Sequence, residues 1–176
     1  MRKSFVDESS DDEEDDSPYL PDDVFTIIVL GARKSGKTSF INRLHSNTFS
    51  LSYTPTLCME ARHNVQLGDV RADIWEFPPN ICWLYNEIRP VKSDAVIILF
   101  NSDETDSFEN GIDLWKTIRD RVNVHSTPEL WVVDRGKAGM DTELCHPDRH
   151  FVVDSMTSEG FLDLSYDIRT ALLRKL

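Results

Sequence analysis

The chain of 176 residues is 40% hydrophobic, with 19 Lys and Arg against 31 Asp and Glu and a formal net charge of -12 at pH 7. That length buries one core and fits a single domain, and an acid excess is the opposite of the basic face that nucleic-acid binding requires. No apolar run approaches the roughly 18 residues a membrane span needs, and residues 1–5 lead into acid rather than into the apolar core of a secretory signal.

Residues 1–23 hold ten of the acidic side chains against Arg2 and Lys3 alone, and positions 11–16 are six consecutive carboxylates. Such a run repels itself and offers nothing to bury, so a disordered acidic N-terminal arm is expected over 1–23. Two uses for it stay open. It is a solubilising tail, or it is a regulated interaction arm in which Ser9 and Ser10, just ahead of the run, gain charge by phosphorylation.

From Val24 the pattern changes to alternating strand and helix. Val24–Leu30 is a β-branched apolar run closed by Gly31, which predicts a strand buried on both faces. Residues 37–45 predict a helix with Phe40, Ile41 and Leu44 on one side. Two weaker strands, around 57–65 and 70–75, flank Leu67-Gly68-Asp69 as a hairpin turn. Ala95–Phe100 is another wholly apolar strand. Phe108, Ile112, Trp115, Ile118 and Val122 then recur at spacings of 4, 3, 3 and 4, a helical stripe. Residues 130–133 and 151–153 predict short buried strands, and Phe161, Leu164, Ile168, Ala171 and Leu172 make the apolar face of a C-terminal helix. Alternation of this kind with one early hairpin implies an α/β fold, a mostly parallel six-stranded sheet with helices on both faces. No internal repeat is visible.

Between the first strand and the first helix, Gly31-Ala32-Arg33-Lys34-Ser35-Gly36-Lys37-Thr38 matches G-x-x-x-x-G-K-[ST], the phosphate loop. Glycines let successive N–H groups turn towards one anion. The helix that follows adds its unpaired N–H groups and its dipole. Lys37 sets a charge against the terminal phosphates, and the Thr38 hydroxyl is a ligand for Mg²⁺. The expected nucleotide contacts are Gly31, Arg33, Lys34, Ser35, Gly36, Lys37, Thr38 and Ser39.

With this loop in place, residues 24–174 resemble the Ras/Rab-like small GTPases. Tyr53-Thr54-Pro55-Thr56 is similar to the family's first switch, which implies that Thr56 supplies a second hydroxyl to Mg²⁺ and senses the terminal phosphate. Asp94 and the apolar strand ending in Phe100-Asn101 resemble its central strand, and Asp106-Ser107-Phe108 opens the next helix as in the family. The resemblance implies GTP or GDP with Mg²⁺ as cofactors. It also implies a nucleotide-dependent switch or scaffold whose 50–57 and 76–90 loops are ordered by nucleotide and presented to a protein partner.

Several positions depart from the family pattern. Glu76 stands where the family's third strand ends in a Mg²⁺-associated Asp, which makes Thr38, Thr56 and Glu76 the expected metal set. Pro79 replaces a glycine whose N–H meets the terminal phosphate, and proline has no N–H to give. Asn80 stands for the glutamine that orients the attacking water, and is the one weak catalytic candidate. Arg33 occupies a glycine position and crowds the space where the transition state forms, so hydrolysis is expected to be slow or absent. The guanine-reading Asn-Lys-x-Asp becomes Asp134-Arg135-Gly136-Lys137. Lys137 has three donors and no acceptor, so it cannot replace the base-reading Asp, and guanine preference rests on the resemblance. Asp134, Lys137 and, in the reduced later motif Ser155-Met156-Thr157, Ser155 are the expected base-side contacts.

The chain also resembles, more narrowly, the Rab-like subunit of the intraflagellar transport B complex. The shared features are Ser35-Gly36-Lys37-Thr38, the Tyr-x-Pro-Thr switch, the Phe100-Asn101 strand end, Trp115 and a degenerate base motif ending in Gly139. That likeness implies a trafficking or ciliary partner and a cytoplasmic or ciliary location. Cys58, Cys82 and Cys145 show no metal or disulfide spacing, in keeping with a reducing compartment. His45, His63, His125, His146 and His150 are scattered, so no metal beyond Mg²⁺ is expected. Trp75, Trp83, Trp115 and Trp131 fall in or beside apolar elements and predict core packing. Neither a prenylation cysteine nor a myristoylation glycine is seen, so no direct membrane anchor is expected. The alternatives are a pseudo-GTPase structural subunit that binds no nucleotide, and a small P-loop kinase, for which no Arg-rich lid is visible between Lys92 and Leu130.

Overall fold

The computed structural model describes residues 24–79, 93–104, 106–122, 129–136 and 149–176. The arm expected over 1–23 lies outside the described residues, as do Asn80, Trp83, Lys137 and Gly139. In chain order the elements are β1 (Val24–Leu30), α1 (Lys37–Ser46), β2 (Glu60–Leu67), β3 (Val70–Glu76), β4 (Ala95–Phe100), α2 (Ser107–Val122), β5 (Glu129–Asp134), β6 (His150–Val152) and α3 (Phe161–Leu173). The six strands form one sheet in the order β2-β3-β1-β4-β5-β6. Neighbouring strands run parallel except β2 and β3, which form the hairpin. The α/β architecture expected from the alternation of elements is therefore the one observed.

The sheet is buried on both faces because its central strands β1 and β4 are apolar at every position but Thr26. Ile27, Ile28, Val29 and Leu30 of β1 are at most 1% exposed, and all six residues of β4 are buried. Full burial of each such side chain is worth about 1.5–3 kcal/mol before entropy is counted. Ile27, Val29, Ile97 and Leu99 face α1 and α3, where Phe40, Ile41, Leu164, Ile168 and Leu172 complete one core layer. Ile28, Leu30, Val96 and Ile98 point the opposite way, towards Ile112, Trp115 and Ile118 of α2. Trp131 is fully buried, and its indole Nε1 donates to Asp167 Oδ2 of α3 at 2.7 Å.

The boundaries differ from the sequence pattern where pairing decides them. The second strand starts at Glu60 rather than near residue 57, because Glu60 pairs with Glu76, the last residue of β3, and Leu57 has no strand opposite it. Leu57 is accordingly 76% exposed. The last strand is His150–Val152 rather than 151–153, although the Val153 N–H still bonds the Asp134 carbonyl at 2.8 Å. β1 lies between β3 and β4, so the chain leaves it first to one side and later to the other. A crevice opens at the carboxyl ends of the strands at such a reversal.

Candidate functional site

At that crevice β1 runs into residues 31–36, and α1 begins directly afterwards. A Cβ on Gly31 would sit 2.2 Å from the Leu99 carbonyl oxygen of β4, so only glycine lets the chain turn there. Gly36 caps α1 in the left-handed region (φ 89°) with no side-chain cap, which leaves the first N–H groups of the helix facing the crevice. Lys34 holds φ 62° without being glycine, an uncommon left-handed conformation that costs free energy.

Lys37 is 5% exposed and curls back over this loop, its Nζ donating to the Gly31 and Ala32 carbonyls at 3.0 Å each. Burial pushes its pKa down to about 8, with the nearby Glu76 charge pulling the other way. A buried cation held only by carbonyls is costly, and a polyanion beside it relieves that cost.

The three side chains expected around a metal meet one another. Thr38 Oγ1 from the first turn of α1 and Thr56 Oγ1 from the segment before β2 each donate to Glu76 Oε1 at 2.8 Å, and the two hydroxyls lie 3.2 Å apart. Glu76, at the end of β3, is 3% exposed. Two hydroxyl oxygens and a carboxylate converging beside a phosphate loop are the hard oxygen donors that suit Mg²⁺, so the residues present fit that ion. Thr56 is half-buried while Thr54, Pro55 and Leu57 around it are exposed, which marks it as the anchored residue of its segment.

Arg33, Lys34, Gly36, Lys37, Thr38, Ser39, Thr56, Glu76 and Ser155 line one cleft of about 1030 Å³, large enough for a nucleotide. Gly31, Ser35 and Asp134 are buried and do not line it. Asp134 Oδ1 accepts the N–H groups of Ser102 and Gly136 at 3.0 and 2.7 Å, so this carboxylate fixes the turns after β4 and β5 from below. Arg33 is exposed at the cleft rim, and Pro78 and Pro79 line the cleft on the Glu76 side. Asn80 and Lys137 fall outside the described residues.

Two cleft residues were not singled out in the sequence. Arg135 lies across Gly36, where an added Cβ would come 2.6 Å from its Nη1, and donates to the Lys34 carbonyl at 3.4 Å. Its place beside Asp134 in the altered base motif was the available signal. Asp154 organises the last loop, with its Oδ1 accepting from Met156 N–H at 2.7 Å and Thr157 N–H at 3.3 Å. An Asp followed closely by Ser and Thr after a strand is the pattern of a self-bonded turn.

Against known proteins, residues 26–137 match the model of the Ras family. The chain is 29% identical over 93 residues to human Ras-related protein Rab-44, an alignment covering 50% of this chain and 9% of that protein. It is 30% identical over 101 residues to human EF-hand calcium-binding domain-containing protein 4B, covering 54% of this chain and 14% of that one. The chain thus spans a small fraction of the length of both relatives.

Proposed function

We propose, since this chain belongs to the Ras family of small GTPases, that it binds a guanine nucleotide with Mg²⁺ and serves as a slowly hydrolysing or non-hydrolysing switch or scaffold subunit. The observation that carries this reading is the meeting of Thr38, Thr56 and Glu76 beside the buried Lys37. Three segments far apart in sequence bring oxygen donors and a cation to one end of one cleft, and binding needs little more. When bound, Mg²⁺ would neutralise polyphosphate charge there. Lys37 and the helix N-terminus orient the phosphates, and Thr56 ties the exposed segment before β2 to them.

Slow turnover follows from the cleft wall. Pro79 stands where an N–H would be needed, and proline has none. A partner role is supported by the same segment that Thr56 anchors: Leu51, Tyr53 and Leu57 are 87%, 53% and 76% exposed, and clustered exposed apolar side chains mark interaction surfaces. A partner from trafficking machinery, including a ciliary transport complex, is the class that the sequence resemblance favours. No helix among the described residues is long and apolar enough to cross a membrane.

The test is to denature natively purified protein, identify the released ligand by mass spectrometry, and titrate the stripped chain with GTP, GDP and ATP in Mg²⁺. A released guanine nucleotide at one per chain, and GTP left intact over hours, is the expected result. A chain that releases no nucleotide and gives no heat with any of the three is a pseudo-GTPase, and the reading fails.

A further inference from the structure

Helix α1 starts at the phosphate loop and ends beside the loop over residues 154–157, and one side chain joins the two. Arg43 Nε donates to the Ser155 carbonyl at 2.8 Å and Nη2 to the Met156 carbonyl at 2.9 Å. Nη1 reaches back to Asn47, donating to its carbonyl at 2.9 Å and its Oδ1 at 3.1 Å. All three guanidinium nitrogens are therefore engaged, two on the loop and one on the residue that caps α1 in the left-handed region. From within the loop, Asp154 Oδ1 holds the Met156 and Thr157 N–H groups, and the Asp154 carbonyl takes the Ser158 N–H at 2.8 Å. The loop's carbonyls are thus held by α1 and its N–H groups by its own first residue. Asp154, Ser155 and Met156 line the same cleft as the phosphate loop.

We propose that Arg43 is a positioning residue that makes the phosphate loop, α1 and the 154–157 loop one rigid body, so that the polyphosphate and nucleoside ends of a ligand are gripped together. This rests on the nucleotide-binding reading above. Arginine is needed because its planar fork meets two carbonyls and the helix cap at once, whereas a lysine ammonium is a single point of attachment. The Arg43 guanidinium hydrogen-bonds Ser155, Met156 and Asn47, none of them in the phosphate loop, so its loss frees the nucleoside end and leaves the phosphate end in place. The ordering of the loop is then completed only when ligand binds, at a cost in affinity.

Two readouts on the full-length chain test this, comparing the parent with Arg43→Ala and Arg43→Lys. The first is amide hydrogen exchange at Met156, Thr157 and Ser158 without nucleotide. The second is affinity for GDP against that for pyrophosphate, both with Mg²⁺. In Arg43→Ala, exchange at the three amides should accelerate about tenfold while that of α3 holds. GDP affinity should fall about tenfold and pyrophosphate affinity should stay within about twofold. Arg43→Lys should fall between parent and Arg43→Ala, and it carries the test by itself if Arg43→Ala does not fold. Unchanged exchange at these amides overturns the proposal, as does equal weakening of GDP and pyrophosphate. A parent chain that binds neither ligand defeats the nucleotide reading instead, and the exchange measurement still decides whether Arg43 holds the loop.

Discussion

At the polyphosphate end of the cleft, Thr38, Thr56 and Glu76 touch one another beside Lys37, while on the adjoining wall Pro78 and Pro79 offer no N–H at all. Glu76 and the two prolines are close neighbours in the chain, yet the two regions differ in their tolerance to change. Holding a polyphosphate draws on many small contributions: helix N–H groups, one cation, and oxygens from the start of α1, the end of β3 and the segment before β2. Replacing a carboxylate by one a methylene longer, as Glu76 does, leaves the donor set intact. Turnover depends on a single N–H and a single amide aimed at one water, and one proline removes the first. Binding and catalysis can therefore be lost separately, and the proposed function is that this chain keeps the first and not the second.

The contrast can be broken most forcefully at Lys37. Lys37→Ala should lower triphosphate affinity about 100-fold, or about 2.7 kcal/mol, as measured by calorimetry, whereas Lys137→Ala in the altered base motif should change it by less than about twofold. A loss at Lys37 no larger than that at Lys137 would show that the polyphosphate end is not the intact one. The next largest effect tests the other region. Pro79→Gly combined with Asn80→Gln should raise single-turnover GTP hydrolysis about tenfold, about 1.4 kcal/mol of barrier, and a rate no higher than the parent's would place the block elsewhere, with Arg33 the next residue to replace.

A smaller and subtler test is pH. Burial holds the Lys37 pKa down to about 8, below the ordinary lysine value of 10.5, and phosphate binding needs the protonated form. Affinity should then fall as pH rises, about fourfold between pH 7 and 8.5. Stability of the ligand-free chain runs the other way. The folded pKa lies below the unfolded one, so the cost of burying the cation is fully present below pH 8 and is relieved as pH rises from 8 towards 10.5. Comparing the pH dependence of thermal unfolding in parent and Lys37→Ala isolates this contribution. Parallel curves would mean that Lys37 is solvated rather than buried.

The strands, the helices and the phosphate loop were legible along the chain because each is a local pattern. Seven β-branched or apolar residues closed by Gly31 favour a buried strand, and the 4, 3, 3, 4 spacing of Phe108 to Val122 favours one face of a helix. The grouping of Thr38, Thr56 and Glu76 was expected through family resemblance alone: nothing in the neighbourhood of Glu76 announces that it meets Thr38. The start of β2 at Glu60 escaped the pattern because it is set by where β3 ends, not by the composition around Leu57. Asp134 was expected at the base, and its Oδ1 accepts the Ser102 and Gly136 N–H groups of the turns after β4 and β5, contacts that nothing near it in the chain announces.

Residue order alone thus determined the elements, their α/β alternation and the loop chemistry of positions 31–38, all of which depend on neighbours within a few residues. Tertiary structure decided which groups share the cleft. Thr56 reaches Glu76 across 20 residues, and Arg43 reaches Ser155 across 112. Those separations are closed by the register of β1 against β3 and by the packing of α1 on the sheet. A hydrogen bond between such partners leaves no mark on the sequence near either one.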